Sequence, residues 1–262
     1  METLLVVDVG NTNIVLGIWS GEDLVASWRM ATSGERTADE YGVTARQLLE
    51  AHDAPSPTHA IVSSVVPPLH ATIKEMIESY FAVVPMFVEP GIRTGLSIKT
   101  ENPLEVGADR IVNAVAAHAL YRCPAIVVDF GTATTFDLVS AEGEYRGGVI
   151  APGMNVSADA LFARAARLPR VEIRKPHHLI GTNTVSSMQS GLYYGYLGLV
   201  DGILTRIRGE MPDIRTVVAT GDLAPLVCAD SNCIDQVDME LTLKGLRILH
   251  ERNHERKVKR RG

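Results

Sequence analysis

The chain has 262 residues, enough to bury a substantial core and to build two domains of ordinary size. Its composition, 46% apolar and 21% charged, excludes extensive disorder, and a formal net charge of −6 argues against a broad nucleic-acid footprint. No apolar run reaches the length of a membrane span, and Asp8 interrupts the first apolar stretch, against a signal peptide, so a cytoplasmic protein without membrane or nucleic-acid partners is expected.

The first half opens with three strand-like runs, Leu4–Val7, Ile14–Trp19 and Leu24–Met30. The turn Ser20-Gly21-Glu22-Asp23 joins the last two, as in an antiparallel meander. Tyr41, Ala45 and Leu48 fall at helical spacing within Thr37–Ala51. A buried strand at Ala60–Ser63, a helix introduced by Pro67-Pro68 and running to about Tyr80, and a short strand near Met86–Val88 follow. Asn102 as N-cap and Pro103 at the first helical position predict a short turn that Gly107 breaks, before a helix over Arg110–Leu120.

The second half restarts the same order. Ala125–Val128, Thr135–Val139 and Tyr145–Ile150 predict another meander, followed by helices near Asn155–Ala166 and Ser187–Arg208, a strand at Thr216–Ala219 and a closing helix at Leu241–Glu251. Two mixed α/β lobes are expected, residues 1–121 and 122–262, with no flexible linker between them. The basic residues from Arg252 to Arg261 read as a loose, solvated tail. Cys123, Cys228 and Cys233 form neither a metal pattern nor a disulfide framework.

The repeat is visible in the residues themselves. Val6-Val7-Asp8-Val9-Gly10-Asn11-Thr12-Asn13 returns 121 positions later as Val127-Val128-Asp129-Phe130-Gly131-Thr132-Ala133-Thr134. Each copy is an apolar strand, an Asp-x-Gly turn with short polar side chains, and a second apolar strand. Glycine lets the backbone approach an oxyanion, and successive N–H groups in such a turn form an anion-binding concavity. An Asp at the strand end can hold magnesium, which accepts few carboxylates and retains waters. A chain with two such tips is expected to hold something highly charged between them, a nucleotide triphosphate with its metal being the leading candidate. No Walker-type or Gly-x-Gly-x-x-Gly run is present, so the common P-loop and dinucleotide readings fail. Val217-Val218-Ala219-Thr220-Gly221-Asp222, a strand ending in Thr-Gly, allows close approach by a flat ligand such as adenine.

These features resemble those of the actin, sugar-kinase and chaperone ATPase superfamily, and within it the type III pantothenate kinases. The likeness is carried by Asp8–Asn13, by Asn102-Pro103 leading to Gly107-Ala108-Asp109-Arg110, by Asp129–Thr134, by Gly147–Gly153 and by Ile180-Gly181-Thr182-Asn183-Thr184. The resemblance implies duplicated ribonuclease-H-like, actin-like ATPase domains and transfer of a phosphoryl group from ATP to pantothenate, the first step of coenzyme A synthesis. It implies that Asp8, Val9, Gly10, Asn11, Thr12 and Asn13 hold ATP phosphates, with Thr132 adding a contact. Gly107, Ala108, Asp109 and Arg110 would bind pantothenate, with Asp109 as proton acceptor, and Thr184 would complete that site. Asp129 would ligate a monovalent cation, potassium or ammonium, beside ATP with magnesium. A homodimer with the substrate site near its interface is also implied.

Two positions depart from the family pattern. Thr100 stands where a Tyr is common, and Asp222 replaces the second glycine of the adenosine turn, where a carboxylate and a Cβ should weaken approach of the base. From the residues alone Asp109 reads either as a helix cap or as a general base. His177 and His178 read as exposed loop residues, and Tyr193, Tyr194 and Tyr196 as packing residues. The nearly uncharged helix around Ser187–Leu204, with Gly191, Gly195 and Gly198, is expected to be buried on several sides, within the domain or between subunits. A kinase for another small alcohol and a nucleotide-sensing regulator of the same fold are the alternatives.

Overall fold

A computed structural model describes residues 2–259. In chain order the first half gives β1 (Thr3–Val9), β2 (Asn13–Ser20), β3 (Asp23–Ala31), α1 (Ala38–Ala51), β4 (His59–Ser64), α2 (His70–Phe81), β5 (Met86–Phe87), β6 (Ser97–Ile98) and α3 (Ala108–Leu120). The second gives β7 (Ala125–Phe130), β8 (Ala133–Val139), β9 (Glu144–Pro152), α4 (Met154–Arg164), α5 (Thr184–Glu210), β10 (Thr216–Thr220), α6 (Ala224–Cys228), β11 (Gln236–Val237) and α7 (Leu241–Lys259). The expected elements are present. The two-residue strands β6 and β11 and the short α6 are additions that are too brief to leave a periodic pattern.

The sheets repeat one another. The first runs β3-β2-β1-β4-β5, and the second carries the equivalent order β9-β8-β7-β10-β11, with β6 added parallel to the β9 edge. In both, the first strand is antiparallel to the second and parallel to the fourth in sheet-forming order. The duplication read from two tips is therefore a duplication of whole sheets.

Compactness divides the chain into two units, but not at a single cut. One comprises the residues to Leu96, Glu101–Ala116 and the chain from Leu241 onward; the other comprises Ser97–Thr100 and Ala117–Glu240. The chain passes from the first unit to the second after Ala116, and α7 returns to the first. The reason is apolar packing: α7 lies on β1 and β4, with Leu241, Leu246 and Leu249 fully buried. Leu243 of α7 comes close to Gly17 of β2, and Thr242 donates to the Asn113 side chain of α3 at 2.8 Å. The other face of this sheet is covered by α1 and α2, where Leu5, Val7 and Val9 meet Tyr41, Ala45, Ile73 and Ile77.

The basic end is also more ordered than its composition suggests. α7 continues to Lys259, and Arg252 donates to the Thr94 carbonyl while Asn253 bonds the backbone of Arg93. Partial burial lowers the pKa of Arg252. Arg260 and Arg261, the rest of the expected tail, lie outside the described residues.

The second unit packs α5 along one face, with Tyr196, Val200 and Leu204 against Ile126, Val128 and Val217. Its opposite side is not covered by its own domain, which leaves the between-subunits alternative for that face. Gly191, Gly195 and Gly198 are exposed within the chain, and a Cβ at each would meet nothing within 4 Å.

Candidate functional site

The tip of the first unit is the turn between β1 and β2. Alternating apolar residues keep β1 inside the sheet, and Asp8 falls at its carboxyl end, half-buried, where it faces Val15 on β2 and Ser63 on β4. Gly10 donates its N–H to the Asn13 carbonyl at 3.0 Å, closing the turn, while Asn11 and Thr12 are exposed. Thr32, at the end of β3, fastens the tip by donating its hydroxyl to the Gly10 carbonyl at 2.7 Å and its N–H to the Thr12 carbonyl at 2.9 Å. The sequence reading did not single out Thr32, whose role depends on a β-pairing that no local pattern reveals.

The Asn102–Arg110 segment belongs to the same unit and lies beside this tip. Asn102 caps a one-turn 3-10 helix over Pro103–Glu105, accepting the Leu104 N–H at 3.3 Å and donating to Glu105 Oε1 at 2.7 Å. Gly107 follows, and α3 begins at Ala108, which puts Asp109 and Arg110 in its first turn, both half-buried. Asp109 Oδ1 accepts the Arg110 N–H at 2.8 Å. Val65 bridges the segments: its N–H donates to the Val9 carbonyl at 3.0 Å, and its Cγ1 is 3.6 Å from where a Cβ of Gly107 would stand. Asp8–Asn13 and Gly107–Arg110 are thus gathered at the carboxyl ends of the parallel pair β1 and β4, the edge at which α/β sheets commonly bind ligands.

In the second unit Asp129 occupies the position equivalent to Asp8, opposite Thr135 on β8 and Thr220 on β10. Gly131 and Thr132 are exposed at the turn. Gly153 supports it from the end of β9: its N–H donates to the Thr132 carbonyl at 3.1 Å, and any Cβ there would strike that same oxygen. Behind the tip the hydroxyls of Thr134 and Tyr196 are paired. Burial raises the Tyr196 pKa, and the charge of Asp129 raises it further, so the phenol stays protonated.

Beside this tip β10 ends in Thr220-Gly221-Asp222. Gly221 has φ +91, and a Cβ on it would lie 2.7 Å from backbone atoms of Phe130. Only glycine lets the two strand ends approach this closely. Asp222, one residue on, is exposed. Thr100 lies at the β6 end of the sheet, near Gly147.

Thr184 is the first residue of α5, after the capping box of Asn183 and Ser186. It is exposed and lines a cleft of about 650 Å³ with Leu161, Leu168, Thr182, Ser187 and Gly191. Twelve residues of helix separate it from Tyr196, about 18 Å at 1.5 Å per residue. Within its own unit, therefore, Thr184 does not join the Thr132 tip. Leu179 and Ile180 are exposed before α5, at 61% and 78%, and Leu161, Phe162 and Val185 are exposed nearby. His177 and His178 are exposed loop residues, whereas Tyr193 and Tyr196 are buried.

Among the described residues no three or more His, Cys, Asp or Glu converge on a metal site. No helix of the described residues is long and apolar enough to cross a membrane.

A family model for type III pantothenate kinase matches residues 4–206. The chain is 58% identical over 252 residues to the type III pantothenate kinase of Anaeromyxobacter sp. strain Fw109-5, covering 95% of this chain and 99% of that one. It is 56% identical over 253 residues to that of Myxococcus xanthus, covering 96% and 99%. Among solved structures it resembles a Campylobacter jejuni protein assigned to the Baf family of transcriptional activators, with a TM-score of 0.61 and 18% identity over 96% of this chain and 99% of that one. Component A of (R)-2-hydroxyglutaryl-CoA dehydratase from Acidaminococcus fermentans gives a TM-score of 0.53 at 14% identity, covering 98% and 100%. These two likenesses concern the fold, which is the duplicated, actin-like α/β architecture expected from the sequence.

Proposed function

The chain belongs to the type III pantothenate kinase family, and from that membership we propose that it transfers the terminal phosphoryl group of ATP to the primary hydroxyl of pantothenate, opening coenzyme A biosynthesis. The observation that carries the site-level reading is the adjacency, within one unit, of the Asp8–Asn13 tip and the Gly107–Arg110 turn through Val65. A phosphate-binding turn next to a half-buried Asp–Arg pair is what an alcohol kinase requires.

Phosphoryl transfer depends chiefly on positioning and on neutralising charge. Asp8, Val9, Gly10, Asn11, Thr12 and Asn13 bind the ATP phosphates through turn N–H groups and short side chains, and Thr132 supplies a further phosphate contact. Asp8 would hold the magnesium that accompanies ATP, which would offset phosphate charge. Asp129 would ligate a monovalent cation, potassium or ammonium. Gly107 and Ala108 leave room for pantothenate, and Arg110 offers a forked donor to its oxygens. Asp109 takes the hydroxyl proton as the oxygen attacks the terminal phosphorus; the bond to the bridging oxygen breaks and ADP leaves. With Oδ1 held by the Arg110 N–H, the carboxylate is oriented for that role.

The active species is a homodimer. Its interface takes in the glycine face of α5 and the apolar residues around Leu161, Phe162, Leu179 and Ile180, which are exposed within one chain, and the family resemblance assigns Thr184 to the substrate site. A coupled assay of ADP release over a panel of small alcohols, pantothenate and hexoses included, tests the substrate assignment. Release is expected with pantothenate, and preference for another alcohol would replace the assignment.

A further inference from the structure

The turn after β3 is built onto the first tip. Thr32 bonds Gly10 and Thr12 as described, and Ser33 is clamped by Tyr41, a fully buried residue of α1. The Ser33 N–H donates to the phenol oxygen at 2.8 Å, and the phenol O–H donates to the Ser33 carbonyl at 2.9 Å. The Arg36 N–H then donates to the Ser33 carbonyl at 3.4 Å, and at the next residue the capping box of Thr37 and Glu40 opens α1. Arg36 therefore stands on backbone fixed by the tip on one side and by a helix cap on the other.

Its side chain has no matching anchor. The exposed guanidinium rests over the Tyr41 ring, 5.7 Å from the centroid, and among the described residues no carboxylate pairs with it. The adjacent carboxylate, Glu35, does not pair with it, and two others close in sequence are engaged elsewhere. Glu40 accepts the Thr37 N–H at 2.8 Å, and Asp39 accepts the Tyr80 hydroxyl at 2.9 Å. The tip itself, from Asp8 to Asn13, contains no cationic residue, and Asp8 adds negative charge.

We propose that Arg36 contacts the phosphate oxygens of a triphosphate bound at the Asp8–Asn13 tip, exchanging the face of Tyr41 for two anionic oxygens. The inference rests on the reading of that tip as a phosphate site. A guanidinium suits the exchange, because it is weakly hydrated, remains charged over an aromatic face and matches phosphate with two parallel N–H donors. Lysine would supply the charge without the fork.

The test is calorimetric titration of the full chain with magnesium ATP and with magnesium inorganic triphosphate, pantothenate being absent, for wild type, Arg36→Gln and Arg36→Lys. Arg36→Gln is expected to weaken both ligands by a similar factor, roughly tenfold to a hundredfold, as for loss of charged hydrogen bonds. Arg36→Lys should recover part of the loss, and the thermal midpoint should not move. Unchanged triphosphate affinity in Arg36→Gln would overturn the inference, as would a loss accompanied by a lowered midpoint with no recovery by lysine. Because binding is read without pantothenate, a wild type that binds triphosphate but makes no phosphorylated product would refute the kinase reading and leave this one standing.

Discussion

Val65 packs against Gly107 while its own N–H is held by the Val9 carbonyl. One small residue thereby fixes the distance between a phosphate-type turn and the helix start that carries Asp109. A side chain added at Gly107 would meet Val65 at an ordinary contact distance of 3.6 Å but would crowd Asp109 Oδ1 at 2.5 Å, so the proposed base needs a glycine there.

Asp109→Asn separates catalysis from capping. Asparagine keeps an oxygen that can accept the Arg110 N–H, so the α3 start should survive and the thermal midpoint should stay near that of wild type. Turnover should fall by roughly 10²–10⁴-fold, the usual range for loss of a general acid–base group. Steady-state kinetics beside a melting curve decide it: near wild-type turnover would make Asp109 a cap only.

Exchanging potassium for sodium should lower activity, through Asp129, with magnesium held constant. Ammonium should substitute for potassium. Equal rates in all three salts would detach Asp129 from cation binding.

The Gly221–Asp222 pair predicts two separable effects. Gly221→Ala must either strain a φ of +91 or displace the Phe130 backbone, so a loss of roughly 1–3 kcal/mol is expected, visible in chemical denaturation. Asp222→Gly leaves that packing intact and removes an exposed carboxylate beside the second tip, which should lower the KM for ATP severalfold. A KM that rises would show that Asp222 assists the nucleotide.

Gly195→Arg tests the dimer. The site is open within the chain, so the fold should tolerate the side chain, while a face meant for a second copy would be blocked. Light scattering at micromolar concentration should find a dimer for wild type and a monomer for the variant. A monomeric wild type would contradict the proposal.

Much of this molecule was legible in the sequence because its signals are local. Tyr41, Ala45 and Leu48 mark α1 by their spacing, Asn102 and Pro103 open a one-turn helix, and the two Asp-x-Gly tips stand where the strands end. What escaped depends on distant contacts. The return of α7 to the first sheet is decided by Leu241, Leu246 and Leu249 meeting β1 and β4, and no period in those residues names their partner. Thr32 at the first tip and Gly153 at the second act through hydrogen bonds to residues 20 or more positions away. For the glycine face of α5 the sequence left two coverings open, because an uncharged helix looks the same whether its covering comes from its own domain or from another chain.

Phosphoryl transfer to pantothenate is tested most directly by mass spectrometry of a reaction containing the protein, ATP, pantothenate, magnesium and potassium, with Asp109→Asn run in parallel. 4′-Phosphopantothenate should accumulate with wild type in proportion to ADP, and only in trace with the variant. ADP release without phosphopantothenate, or equal product from both proteins, would contradict the proposed chemistry.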